Sequence, residues 1–166
     1  MKTFITILIL ALNSIYANAQ QQNDKTDIGE LLEQAKTNFK SITGAKKLEK
    51  DGLILYACTH PSIFGEFGDI FKDTKTGTTS YSMFVNYNSA TENFKKALDE
   101  YLEAKFPEPN YYIFRDIDDN FEEVTVMSDI KDPKKPKKTY LIYTVDIDPT
   151  NNQKTFELVI YGSSVL

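Results

Sequence analysis

Cys58-Thr59-His60 is the one place where a thiol and an imidazole lie close together, because the chain holds one cysteine and one histidine. On an extended strand, residues two apart project from the same face, so a thiolate and imidazolium pair is sterically conceivable. A nucleophile also needs an orienting third group and an oxyanion hole. The neighbouring sequence offers neither. Free cysteine is among the most buried residue types, so the expectation is a small apolar Cys58 beside a strand-end His60. Two ligands also fall short of the four that a structural zinc site wants.

Asp146, Asp148, Thr150 and Glu157 stand at positions one, three, five and twelve of an EF-hand-like calcium loop. Four features depart from that pattern: Pro149 intrudes, Asn151 replaces the glycine of the sharp turn, Gln153 replaces the usual apolar residue, and the flanks alternate like strands rather than helices. The expectation is a hairpin turn. Asp116, Asp118, Asp119, Asn120, Glu122 and Glu123 form a second acidic cluster, which reads as a solvated turn. Lys131, Lys134, Lys135, Lys137 and Lys138 crowd a loop with Pro133 and Pro136. Such a tip suits an acidic partner or a phosphate, with Lys134, Lys135 and Lys137 as the binding candidates. Lysine and proline also keep an apolar strand from pairing with other chains. Ile63, Phe64, Phe67, Ile70 and Phe71 place aromatic rings between glycines in a segment whose spacing permits a short broken helix. Either they cover one end of the core, or Phe64, Phe67 and Phe71 form an aromatic contact surface. The chain contains no Walker loop, G-x-G-x-x-G, G-x-S-x-G, H-E-x-x-H or Cys-x-x-Cys.

The elements that must position these groups begin after an export signal. Residues 1–19 resemble a bacterial secretory signal peptide: Lys2, then the apolar run Phe4 to Leu12, then Ala17-Asn18-Ala19 as the cleavage site. Residues 20–26 are polar and read as a flexible tail, leaving 27–166 as a single domain. Loss of Lys2 leaves 18 basic residues against 24 acidic ones, a poor match for nucleic acid or anionic lipid. No later segment has the apolar length to span a bilayer, so no membrane insertion is expected after signal removal.

A first amphipathic helix runs through Ile28, Leu31, Leu32, Ala35, Phe39 and Ile42, with Gly44 placed to end it. The second is expected over Ser89 to Phe106. Ser89 and Glu92 have capping-box spacing, Phe94, Ala97, Leu98, Tyr101 and Leu102 make the apolar stripe, and Pro107 stops it. Lys95, Lys96, Asp99, Glu100 and Glu103 fall between and are expected in water. Lys46, Lys47, Glu49 and Lys50 read as a charged connector. Leu53 to Cys58 and Ser80 to Tyr87 read as strands before the second helix. Asn110 to Asp116, Phe121 to Ser128, Tyr140 to Ile147 and Thr155 to Tyr161 follow it.

The predicted order is α-β-β-α-β-β-β-β. This is an α+β two-layer sandwich, with both helices on one face of a mostly antiparallel sheet of about five to six strands. Helix followed by strands occurs twice, without a residue-level repeat. Lacking a catalytic constellation or any cofactor motif, the chain reads as an exported, periplasmic or secreted binding or interaction domain, whose partner is another protein or a small molecule. The alternative is a ligand-binding protein or hydrolase-like enzyme with a cavity between helices and a curved sheet, of the NTF2-like kind.

Overall fold

The structure, a computed structural model, describes residues 28–59, 68–107, 111–128, 138–148 and 150–162. The expected signal peptide and tail, His60, Phe64, Phe67, Pro149 and the lysines from Lys131 to Lys137 lie outside the described residues.

Apolar spacing starts the first helix as read, but it is shorter than the periodicity suggests. Helix α1 covers residues 28–35, and a turn follows. The Phe39 amide donates to the Gln34 carbonyl (2.9 Å) and the Asn38 amide to the Ala35 carbonyl (3.1 Å), the paired bonds of a Schellman ending. Asn38 takes the left-handed position at φ 55, so the cap falls there and not at Gly44. Phe39, also left-handed at φ 58, is aimed into the core, where its ring meets Tyr81 at 6.4 Å.

Eight strands follow rather than five or six: β1 (Thr43–Lys50), β2 (Leu53–Cys58), β3 (Asp69–Asp73), β4 (Thr79–Asn86), then helix α2 (Ser89–Lys105), then β5 (Tyr111–Ile117), β6 (Phe121–Ser128), β7 (Thr139–Ile147) and β8 (Lys154–Tyr161). The two additional strands come from stretches whose sequence suggested otherwise. The Lys46 to Lys50 connector lies within β1, an edge strand where charge meets water on both sides and costs nothing. Ile70 and Phe71 lie within β3 rather than on a broken helix, because pairing with β2 and β4 outweighs their helical spacing.

Helix α2 keeps its predicted stripe, with Phe94, Ala97, Leu98 and Leu102 buried. Its cap is one residue earlier than expected. Asn88, not Ser89, accepts from the Ala90 and Thr91 amides (2.9 and 3.1 Å), and Thr91 rather than Glu92 closes the capping box. A side-chain cap of this kind contributes about 1 kcal/mol.

All pairings are antiparallel, in the order β1-β2-β3-β4-β8-β7-β6-β5. Each half of the chain is therefore a helix followed by a four-stranded meander, and the halves join where β4 runs against β8. A repeat invisible in residue identity emerges here. Asp73 and Asp148 open the β3–β4 and β7–β8 hairpins, and Gly77 and Asn152 hold their left-handed positions, at the same 75-residue offset (73 to 148, 77 to 152). In each, the aspartate carboxylate accepts the amide two residues on (Lys75, 2.7 Å; Thr150, 2.8 Å), and its carbonyl accepts that of the left-handed residue. The Lys75 amide holds the Asp73 carboxyl below the ordinary aspartate range, and the Thr150 hydroxyl, followed by the Thr150 amide, does the same for Asp148.

Period-two alternation now assigns the faces. Tyr81, Met83 and Val85 of β4, Phe156, Leu158 and Ile160 of β8, Leu141, Tyr143 and Val145 of β7, and Val124 and Val126 of β6 are buried. The register places them side by side on one face. Phe39 packs on Tyr81 and Phe94 on Phe156 (5.8 Å, edge to face). The segments carrying α1 and α2 therefore share that face, and their side chains form one core cluster with it.

Candidate functional site

Three features of the described residues are able to do more than hold the fold: the outer sheet face, a polar cluster under α2, and a cleft at one end of the helical layer.

The outer face is crossed by no described element. Of seven exposed large apolar residues among the described ones, six (Leu48, Leu53, Phe71, Phe84, Tyr112 and Phe114) stand by register on the side away from the core. Phe71, the one described member of the predicted aromatic trio, belongs here, 37% exposed on β3. The two halves of this face differ in charge. Across β1 to β3 the charges mix, and Lys47 pairs with Asp69 (2.5 Å). Across β5, β6, β7, β8 and β4, one register row runs Asp116, Glu123, Thr144, Glu157, Phe84. Asp146 projects beside it, and the adjacent row is Phe114, Thr125, Ile142, Val159, Ser82.

No lysine or arginine lies among the described outward residues of these five strands. Glu123 accepts from Thr125 Oγ1 (3.1 Å) and Glu157 from Ser82 Oγ (3.3 Å), neutral donors in both cases. Burial first, and then the charges of Glu157 and Glu123, push the Tyr161 phenol up. The acidic turn read from sequence is thus split: Asp116 and Glu123 face each other across the ladder on the outside, while Glu122 points inward.

Beneath α2, Lys95 and Asp99, whose spacing predicts water, meet the inner sheet face instead, whereas Glu103 stays exposed as expected and touches the Arg115 guanidinium. The Tyr143 hydroxyl donates to Asp99 Oδ1 (2.7 Å), which also receives Arg115 Nη1 (2.9 Å). Lys95 bridges Glu122 (2.9 Å) and Asp99 (3.5 Å), and Arg115 reaches Glu103 (3.5 Å). The lysine and arginine are opposed by three carboxylates, and each charge has a partner. Sequence gave one usable signal for this cluster: the only arginine in the chain stands at a core-facing register position.

Burial first, then the Asp99 bond and the charges of Asp99 and Glu122, hold the Tyr143 phenol far above the ordinary tyrosine value, with Arg115 pulling the other way. A phenol so held stays protonated, which suits a structural tie from α2 to β5, β6 and β7. The sign of its pH dependence follows. Above about pH 10 the unfolded phenol loses its proton while the folded one keeps it. Stability should therefore fall by about 1.4 kcal/mol per pH unit from this group alone. Urea melts between pH 9 and 11 should show a shallower decline for Tyr143→Phe than for the wild type. Equal slopes would refute the assignment.

The cleft measures about 240 Å³ and lies between Leu32, Ala35 and Lys36 on one side and Phe106, Tyr111 and Tyr140 on the other. Phe106, Tyr111 and Tyr140 pack ring to ring at 4.9 to 5.7 Å. Lys138, the described end of the lysine run, stands 4.9 Å over Tyr140. A wider hollow of about 430 Å³ opens over Tyr56, Ile70 and Thr79.

The chemistry candidates read from sequence are dispersed. Cys58 is buried at the end of β2. Asp146 and Glu157 occupy different rungs of the β7–β8 ladder, and Asp148 Oδ1 is taken by the Thr150 amide and hydroxyl (2.8 and 2.6 Å). No group of three His, Cys, Asp or Glu able to hold a metal occurs among the described residues. Nor, among them, is any helix long and apolar enough to cross a membrane.

Fold and site together define an α+β protein with two helices and a single antiparallel sheet of eight strands. Comparison with protein-family models, curated proteins and solved structures finds no match to this chain.

Proposed function

We propose that the mature chain, once exported, is a non-catalytic binding protein that engages another protein through the outer face of its sheet. The observation that carries this reading is that six large apolar side chains project outward from one sheet, Leu48, Leu53 and Phe71 on β1 to β3, Phe84 on β4, and Tyr112 and Phe114 on β5. Aromatic rings such as Phe84 and Phe114 also supply contact area at low entropic cost. The polar cluster under α2 supports the same view, since its charges are spent on one another.

The test is affinity capture from periplasmic extract and culture medium, with mass spectrometry of what co-purifies. Phe84→Ser and Phe114→Ser should each deplete the captured partner several-fold. As surface changes, they should shift stability by no more than about 0.5 kcal/mol. Undiminished capture by both variants would end this reading. A second reading, a carrier of a small organic anion, is favoured by the ring-lined cleft beside Lys105 and Lys138, where Lys36 is already paired with Glu33. The same experiment detects it as a small molecule that co-purifies with the wild type.

A further inference from the structure

We infer that the partner of the outer face is a protein surface carrying lysine or arginine between apolar side chains. This inference rests on the binding function proposed above. The argument begins with a local disadvantage. Asp116 and Glu123 stand directly opposite each other on β5 and β6, and Glu157 lies two strands further along the same row. Like charges facing each other across a ladder are destabilising. No described cation relieves them, because Arg115, Lys95 and Lys154 all point to the helical side: Arg115 to Asp99, Lys95 to Glu122, and Lys154 over the Tyr87 ring at 4.0 Å.

Within the fold the row's glutamates make only the neutral bonds from Ser82 and Thr125, and the row gathers no metal-binding group among the described residues. Apolar side chains lie next to it, with Phe84 at its end and Phe114, Ile142 and Val159 alternating with Thr125 and Ser82 in the adjacent row. A surface of carboxylates interleaved with rings complements a surface of ammonium or guanidinium groups interleaved with apolar side chains. Complementary charge of this kind steers encounter and rejects wrong partners. The same charges argue against a second copy of the chain as occupant, because stacking two outer faces would bring acidic row against acidic row.

The test uses the mature chain with three synthetic twelve-residue peptides alternating apolar residues with lysine, glutamate or glutamine, titrated at 50 and 300 mM salt. Only the lysine peptide should bind with strong salt dependence. The triple variant Asp116→Asn, Glu123→Gln, Glu157→Gln should bind it at least tenfold more weakly with a flatter salt response. Its melting temperature should be unchanged or higher, because repulsion has been removed. Equal binding of the lysine and glutamine peptides, or undiminished binding by the triple variant, would overturn the inference. If Phe84→Ser and Phe114→Ser then still abolish capture from extract, the binding face survives and only the cationic partner is lost. Concentration-dependent dimerisation of the wild type, abolished by Phe84→Ser, would also overturn the inference by making a second copy the occupant.

Discussion

Replacing Phe156 by alanine should lower the unfolding free energy by about 3 to 5 kcal/mol, the range for losing a large buried aromatic side chain. Phe156 is fully buried on β8, at the middle of the sheet. Its ring meets Phe94 of α2 edge-on at 5.8 Å and stacks on Tyr143 at 5.7 Å. It also stands between Val85 on β4 and Val145 on β7, its ladder partners. A cavity there is walled by the short, branched Val85 and Val145 and by a tyrosine tied through Asp99 to the helix, so little can move in to fill it. Since domains are held by only about 5 to 15 kcal/mol, this single change should remove a large share of the stability. Urea titration at neutral pH measures it, with Leu53→Ala on the exposed face as control. A loss below about 1 kcal/mol for Phe156→Ala would mean that the helix and sheet do not meet as described.

Gly68→Ala should also be severe, for the opposite reason. A methyl group at that position would lie 2.3 Å from Tyr81 Cε2 and Cζ and 2.5 Å from its hydroxyl. Tyr81 is 2% exposed and has Phe39 against it, so the ring has no room to swing away. Overpacking of this type costs about 1 to 3 kcal/mol. The cause can be separated from a general intolerance of alanine by repeating the change in a Tyr81→Ala background, where the obstructing ring is absent. Most of the penalty should disappear there, since residues in contact couple. An equal penalty in both backgrounds would place the cause in the backbone instead.

Helix α2 is legible in sequence because Phe94, Ala97, Leu98 and Leu102 recur at helical spacing and Pro107 closes the pattern. The four strands after it are legible because their alternation faces a single core. The strands missed are those whose surroundings do not mark the sequence. β1 is an edge, so Lys46, Lys47 and Lys50 need no apolar face, and they also guard that edge against other chains. β3 is short and is held by its two neighbours rather than by its own pattern. The polar cluster is illegible for a related reason: Lys95 and Asp99 look solvated until the sheet places Arg115, Glu122 and Tyr143 beneath them. The acidic row depends wholly on register. Asp116 and Glu123 become neighbours only through the turn after Ile117, and Glu157 joins them only because β8 pairs with β7.

The join between the two meanders also governs the order of assembly. Within each half, strands find partners across short loops, whereas β4 must find β8 across the whole second half of the chain, with Ser82 bonded to Glu157 over 75 residues. Closing so long a loop carries the largest entropic barrier in the sheet. The central ladder should therefore be the last to zip, with each half holding an apolar edge open until the other arrives.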